Sequence, residues 1–362
     1  MFTKLLLQNS LRKPCYKLIS TSAQAFRKVT LLGAAGNVGQ PLALLLKSNP
    51  VITKLALYDT SKSIVCMAKD LSLVNTPTCI QYGYGQRQLK YTLQDSEVVV
   101  IAAGIPRKSG ERDDLFDVNG EIVYDLASEC TKYCPNAMVV LITNPLNALV
   151  PLLSELYKQK ECYDPKRIFG VTALDTIRTR TLISNYLQKP LSKSTKIPII
   201  GGHSFYTIIP VLSQVKKANI KFDTMEDYRN LILSIRCANN QVLDSKGNVT
   251  VSMAYAAAKF CNSLIAAMNG AKNIYECAYV KSNEDILPFM ASQLRLSTDG
   301  IAENYGCGLL NDYEKRLLDD AVPYLLCDIK KGVDFITEKN LGNEPDDSRK
   351  ISCAELFGVS VN

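Results

Sequence analysis

Between residues 29 and 142, short runs of apolar residues alternate with longer stretches of helical period. Val29-Thr-Leu-Leu32, Lys54-Leu-Ala-Leu-Tyr58, Glu97-Val-Val-Val-Ile-Ala-Ala103 and Ala137-Met-Val-Val-Leu-Ile142 read as buried strands. Residues 38–47, 63–73 and 115–133 read as helices between them. A strand that is apolar along its whole length shows no face to water, so the pattern predicts a parallel sheet covered by helices on both sides. In such a doubly wound α/β sheet, ligands bind at the carboxyl ends of the strands.

After about residue 170 the pattern changes. Helical periods dominate over 175–187, 225–243 and 251–268, short strands are expected at 275–280 and near 286–296, and a long amphipathic stretch covers 311–338. The chain therefore divides into a Rossmann-type domain over 25–170 and a second α/β (α+β) domain over 171–340. A polar tail follows over 341–362, and no internal repeat is found.

Composition changes this picture at three points. The net charge of +7 suggests an acidic partner until its distribution is examined. No Asp or Glu precedes Asp59, and residues 1–24 carry Lys4, Arg12, Lys13 and Lys17 among leucines before ending in Ser20-Thr-Ser-Ala. That is the composition of a mitochondrial transit peptide, which places the protein in the mitochondrial matrix. Without those four charges the balance falls to about +3, which removes the motive for nucleic-acid binding. No apolar run comes near the length of a bilayer span, so no membrane partner is expected. The 12 cysteines are scattered with no C-x-x-C, and only one histidine is present, so no metal site is expected. Any imidazole chemistry belongs to His203.

Gly33-Ala-Ala-Gly36-Asn37-Val38-Gly39 lies between a predicted strand and a predicted helix. Gly33 allows a tight exit from the strand, Gly36 leaves room for a pyrophosphate, and Gly39 permits close helix–strand packing. The helix N-terminus then presents free N–H groups to phosphate. Asp59 ends the second predicted strand 20 residues after Gly39. A carboxylate there accepts hydrogen bonds from ribose hydroxyls and repels a 2′-phosphate, which favours NAD over NADP.

Four further segments follow strand-like runs or open the second domain: Pro106-Arg107-Lys-Ser-Gly-Glu-Arg112, Thr143-Asn144-Pro145-Leu-Asn147, Leu174-Asp175-Thr-Ile-Arg178 and Gly201-Gly202-His203-Ser204. With these motifs in this order, the chain resembles the NAD-dependent malate dehydrogenases of mitochondrial type, in the lactate/malate dehydrogenase family, over roughly residues 28–340. Asp175 and Arg178 share a helix face by spacing. The resemblance implies that Asp175 holds one imidazole tautomer of His203, which accepts the hydroxyl proton of malate and returns it to oxaloacetate. It also implies that Arg178 forks onto the C1 carboxylate, Arg107 binds the distal carboxylate, Arg112 polarises the C2 carbonyl and Asn144 hydrogen-bonds substrate. Asn119, Ile142, Thr143, Asn144 and Met253 would line the cofactor site. A homodimer is the family's expected assembly.

Three departures from the family pattern bear on turnover. The substrate loop normally reads R-K-x-G-M-x-R, whereas here Arg107 and Arg112 are five apart and Glu111 stands between them. One missing residue can displace a guanidinium by up to about 3.5 Å, and a misplacement of about 1 Å can cost roughly 100-fold in rate. Phe205-Tyr206 stands where the family has a glycine two residues after the histidine, and Leu73 stands where it commonly has histidine. Two readings follow: an active malate dehydrogenase, or a catalytically weakened NAD-binding paralogue acting as a dimer partner. A lactate-type enzyme is a third reading, opposed by Arg107.

Overall fold

The computed structural model describes residues 27–105, 114–192, 194–215, 220, 222, 224–246 and 249–341. The expected leader, substrate loop and polar tail lie outside them. Strand β1 (Arg27–Leu32) leads through a glycine turn into helix α1 (Gly39–Lys47), β2 (Ile52–Asp59) and α2 (Ile64–Ser72). Next come β3 (Cys79–Tyr84), α3 (Gln86–Leu93), β4 (Val98–Ile101), α4 (Asp114–Tyr133), β5 (Met138–Leu141), α5 (Leu146–Gln159) and β6 (Ile168–Val171). The strands β3-β2-β1-β4-β5-β6 lie side by side in that order and all run parallel. The order reverses at β1 and β4, which opens a crevice at their carboxyl ends.

The alternation of side chains along each strand explains two helical layers. On β4, Val99 and Ile101 face one core while Val98 and Val100 face the other; on β5, Val139 and Leu141 part in the same way from Met138 and Val140. One face is covered by α3, α4, α5 and the last helix. The other is covered by α1, α2 and a later alanine-rich helix. Each fully buried Val, Leu or Ile contributes about 1.5–3 kcal/mol relative to exposure, so both faces are strongly committed.

The second half adds α6 (Ala173–Tyr186), β7 (Ile199–Gly201), β8 (Ile208–Pro210), α7 (Met225–Lys246) and α8 (Val251–Met268). It ends with β9 (Ile274–Lys281), β10 (Phe289–Ser297), β11 (Gly300–Asn304) and α9 (Asp312–Leu341). β9 pairs antiparallel with β6, so the sheet continues from the first half into the second. β10, β7 and β8 extend it, and β11 pairs off β10.

Six strands and helices were absent from the sequence reading: β3, α3, α5, β6, β8 and β11. β3 is an edge strand of half-exposed residues containing Gln81 and Gly83, so it carries no apolar run. β6 is four residues long, like β4 and β5, but Gly170 interrupts its apolar run. The reading also found no apolar run of membrane length, yet the 18 residues of α8 reach a mean hydropathy of 1.2. Eleven of them are buried, and the helix packs against α1 and α6 as a core element. Cys130 and Cys134 are both buried, and a hydrogen bond between them, with burial, raises the Cys130 thiol pKa. Cys79 and Cys327 are each in a disulfide, whereas Cys66, Cys130, Cys134, Cys162, Cys237, Cys261, Cys277 and Cys307 are free.

Candidate active site

The glycine turn after β1 sits against the end of β4. Gly33 has φ +84°, and a Cβ on it would meet the Ala103 backbone at 2.5 Å, so no side chain fits there. A Cβ on Gly39 would lie 2.2 Å from Gly33 O and 2.6 Å from Ala34 O, which is how α1 starts so close to the turn. Gly36 differs. It is exposed, and a Cβ there would meet only Gly33 O at 3.3 Å. The turn is therefore closed on its inner side and open on its outer side, next to the first-turn amides of α1. Asp59 ends β2 beside it, with Oδ2 accepting from Ala35 N at 2.9 Å and Oδ1 from Ser61 N at 2.8 Å. An open glycine cradle, a helix N-terminus and an ordered carboxylate at the next strand end together fit a dinucleotide. Asn37 is exposed and Val38 half-buried at the same turn.

The other wall comes from the ends of β4 and β5. Thr143 Oγ1 donates to Ala103 O at 2.7 Å, and Ile142 is buried. The Asn144–Pro145 peptide is cis, and Asn144 is exposed. Asn119 is 1% exposed, and its amide is turned inward. Its Oδ1 accepts from Ile105 N at 2.8 Å and its Nδ2 donates to Asn144 O at 2.7 Å. Asn119 thus ties the last described residue before the substrate loop to the residue before Pro145. Met253, in the first turn of α8, is buried in the core that this helix covers.

His203 and Asp175 come together from separate elements. Asp175 lies in the first turn of α6, where the helix dipole stabilises negative charge. His203 follows β7, and its Nδ1 lies 2.6 Å from Asp175 Oδ2, with side chains 11% and 2% exposed. The contact uses one ring nitrogen and leaves Nε2 for another partner. Arg178 lies one turn after Asp175 and is half-buried; burial lowers its guanidinium pKa, opposed by the Asp175 charge. Arg107 and Arg112 lie outside the described residues.

With the bulky pair after it, His203 keeps its contact with Asp175. Tyr206 turns outward and stacks on Tyr324 of α9 at 4.9 Å with a 7° interplanar angle, and Phe205 meets Tyr206 edge-on. Asn147 was quoted in the sequence motif without a role. In the structure its Oδ1 accepts from His203 N at 2.9 Å. Its only sequence signal is its place in the first turn of the helix after Pro145. Among the described residues, no cluster of His, Cys, Asp or Glu could hold a metal.

Comparison with known proteins agrees with this arrangement. Residues 27–170 match the lactate/malate dehydrogenase NAD binding domain, and residues 172–336 match the alpha/beta C-terminal domain of the same family. The chain is 42% identical to the mitochondrial malate dehydrogenase of Homo sapiens over 323 residues, 88% of this chain and 94% of the relative. It is 40% identical to that of Citrullus lanatus over 321 residues, 87% of this chain and 91% of the relative. Among solved structures, the malate dehydrogenase of Picrophilus torridus matches with TM-score 0.74 at 18% identity, covering 87% of this chain and all of that one (100%). The lactate dehydrogenase of Cryptosporidium parvum, solved with lactic acid and β-nicotinamide adenine dinucleotide, matches with TM-score 0.73 at 20% identity, covering 89% and 99%. At these identities the structural likeness speaks for the fold alone.

Proposed function

Because the chain belongs to the lactate/malate dehydrogenase family, we propose that it oxidises (S)-malate to oxaloacetate with His203 as the proton carrier. It is an NAD-dependent oxidoreductase acting on a dicarboxylate, and the relatives at 40–42% identity are mitochondrial malate dehydrogenases. That kinship does not favour a catalytically weakened paralogue.

NAD, when bound, accepts the hydride from C2 of malate. The chain's own part is to bind, orient and move a proton. Nε2 of His203 takes the hydroxyl proton as the C2–O bond becomes a carbonyl, and returns it in the reverse direction. Asp175 holds the Nδ1–H and stabilises the imidazolium that forms. Arg178 takes the C1 carboxylate, and Asn144 hydrogen-bonds the substrate. Arg107 takes the distal carboxylate and Arg112 polarises the carbonyl. Gly33, Gly36, Asn37, Val38 and Gly39 would hold the pyrophosphate of bound NAD, Asp59 the ribose, and Ile142, Thr143 and Met253 the nicotinamide side. Asn119 orders Ile105 and Asn144 from beneath. Residues 25–170 act as the dinucleotide domain and 171–340 as the substrate domain.

The observation that carries this reading is the 2.6 Å contact between His203 Nδ1 and Asp175 Oδ2. The test is oxaloacetate-dependent loss of NADH absorbance by the purified chain. A loss well above that of a His203→Ala control is expected, and a rate equal to that control rejects the reading. We further propose the mitochondrial matrix as the site of action. A homodimer is also proposed, supported by exposed Leu44 of α1 and exposed Val251 and Tyr255 of α8, two helices that pack on each other.

A further inference from the structure

α9 crosses the back of the site and turns one face toward α5. At Gly332 a Cβ would lie 2.1 Å from Ala148 O, so the two helices touch backbone to backbone. One turn earlier, that closeness brings Asp328 Oδ2 to 3.0 Å from Asn147 Nδ2. Asn147 is 3% exposed, and its other amide end accepts from His203 N at 2.9 Å. The amide satisfies both neighbours in only one orientation. Reversed, it would aim its NH2 at the His203 N–H and its carbonyl oxygen at a carboxylate, exchanging two hydrogen bonds for two repulsions. A charged acceptor makes the correct orientation the stronger one. The same face of α9 grips the His203 loop twice more. Leu325 Cδ2 sits 2.7 Å from where a Gly202 Cβ would be, and Tyr324 stacks on Tyr206.

We propose that Asp328 is a positioning residue for His203: it orients the Asn147 amide, and Asn147 sets the backbone from which the imidazole reaches Asp175. The proposal rests on the reading of His203 as the proton carrier. Other groups around the Asp328 carboxylate fit a partner held in place. Burial raises its pKa, while the Asn147 hydrogen bond and the Lys331 charge act against that rise. Fully buried Tyr279 on β9 has its own pKa raised well above normal, by burial first and by the Asp328 charge second.

The test uses the full chain without a histidine tag. Its one histidine gives a single imidazole whose 15N resonances report which nitrogen carries the proton. Asp328→Asn keeps an oxygen that accepts from Asn147; Asp328→Leu keeps the volume and removes the charged acceptor, leaving Asn147 Nδ2 only the longer 3.4 Å bond to Thr207 Oγ1. Asp328→Leu is expected to lower kcat roughly 10- to 100-fold and to leave NADH affinity within about twofold. At alkaline pH its imidazole should shift from the Nδ1–H tautomer to a mixture. Asp328→Asn should keep the unaltered spectrum and stay within about threefold in kcat. An Asp328→Leu chain with unaltered spectrum and kcat overturns the proposal, as does Asp328→Asn failing as badly as Asp328→Leu. Should Asp328→Leu not fold, Asn147→Asp decides the matter. Alone it faces one carboxylate with another and should perturb the imidazole. Combined with Asp328→Asn it restores a donor–acceptor pair and should recover the spectrum, and no recovery counts against the proposal. The spectrum reads positioning without turnover, so a chain inactive on oxaloacetate would defeat the functional reading while leaving this test decisive.

Discussion

Asp175 and His203 are 28 positions apart and meet only because α6 and β7 converge on the same end of the sheet. An amide at 175 accepts from Nδ1–H through its oxygen or donates to a bare Nδ1 through its nitrogen, so it no longer selects one tautomer. Asp175→Asn is therefore expected to lower kcat by about 10²- to 10⁴-fold with little change in NADH affinity, measured by steady-state kinetics beside fluorescence titration. In the proposed site Asp59 would hold the cofactor ribose at the other end of the crevice. Asp59→Ser removes the carboxylate and its repulsion of a 2′-phosphate, so the NADPH-to-NADH ratio of kcat/KM should rise by about tenfold, close to 1.4 kcal/mol; an unchanged ratio would put cofactor selection elsewhere. Asp59 and His203 were legible in the sequence because each follows a strand-like run, and Asp175 through its helical spacing to Arg178 and the family resemblance. Asn147 was not, because its partner Asp328 lies 181 positions away on a helix whose packing no local pattern reveals.

At the scale of elements, the pattern of apolar positions marked the strands that bury both faces. It missed β3, whose half-exposed residues follow no apolar run, and β6, whose short run Ile-Phe-Gly-Val is interrupted by Gly170. β1 shows a cost of burying both faces. Lys28 is 8% exposed on this strand, with its ammonium donating to Gln94 O. Burial first, then the Lys54 charge, lowers its pKa to about 8 from 10.5, against the pull of Asp95 and Cys134. The folded chain therefore releases this proton before the unfolded chain does. Below about pH 8 both states hold it and the burial penalty is complete; between about 8 and 10.5 the unfolded state binds more protons, so this group's contribution to stability rises with pH. Urea unfolding across that range should show the rise, and Lys28→Met should remove its share of it. Equal slopes in the two proteins would mean that Lys28 is not the source.

For the whole molecule, one sheet runs continuously through β6 and β9, so the proposed site draws on both halves of the chain. The surface left over includes Leu44, Val251 and Tyr255, which are 46%, 72% and 55% exposed on adjoining helices. If this face is the homodimer contact, Tyr255→Lys places two charges in the interface and should shift the chain to monomer in sedimentation, and a variant that remains dimeric would place the contact elsewhere. In the proposed mechanism Arg107 and Arg112, which lie outside the described residues, bear most on rate and choice of acid. The central claim is that this chain reduces a dicarboxylic keto acid with NADH through its one histidine. The most direct test is kcat/KM for oxaloacetate and pyruvate, measured side by side with NADH on the purified chain. The account predicts oxaloacetate preferred by at least about 100-fold, roughly 2.7 kcal/mol of transition-state discrimination. Equal rates, or a preference for pyruvate, would contradict it.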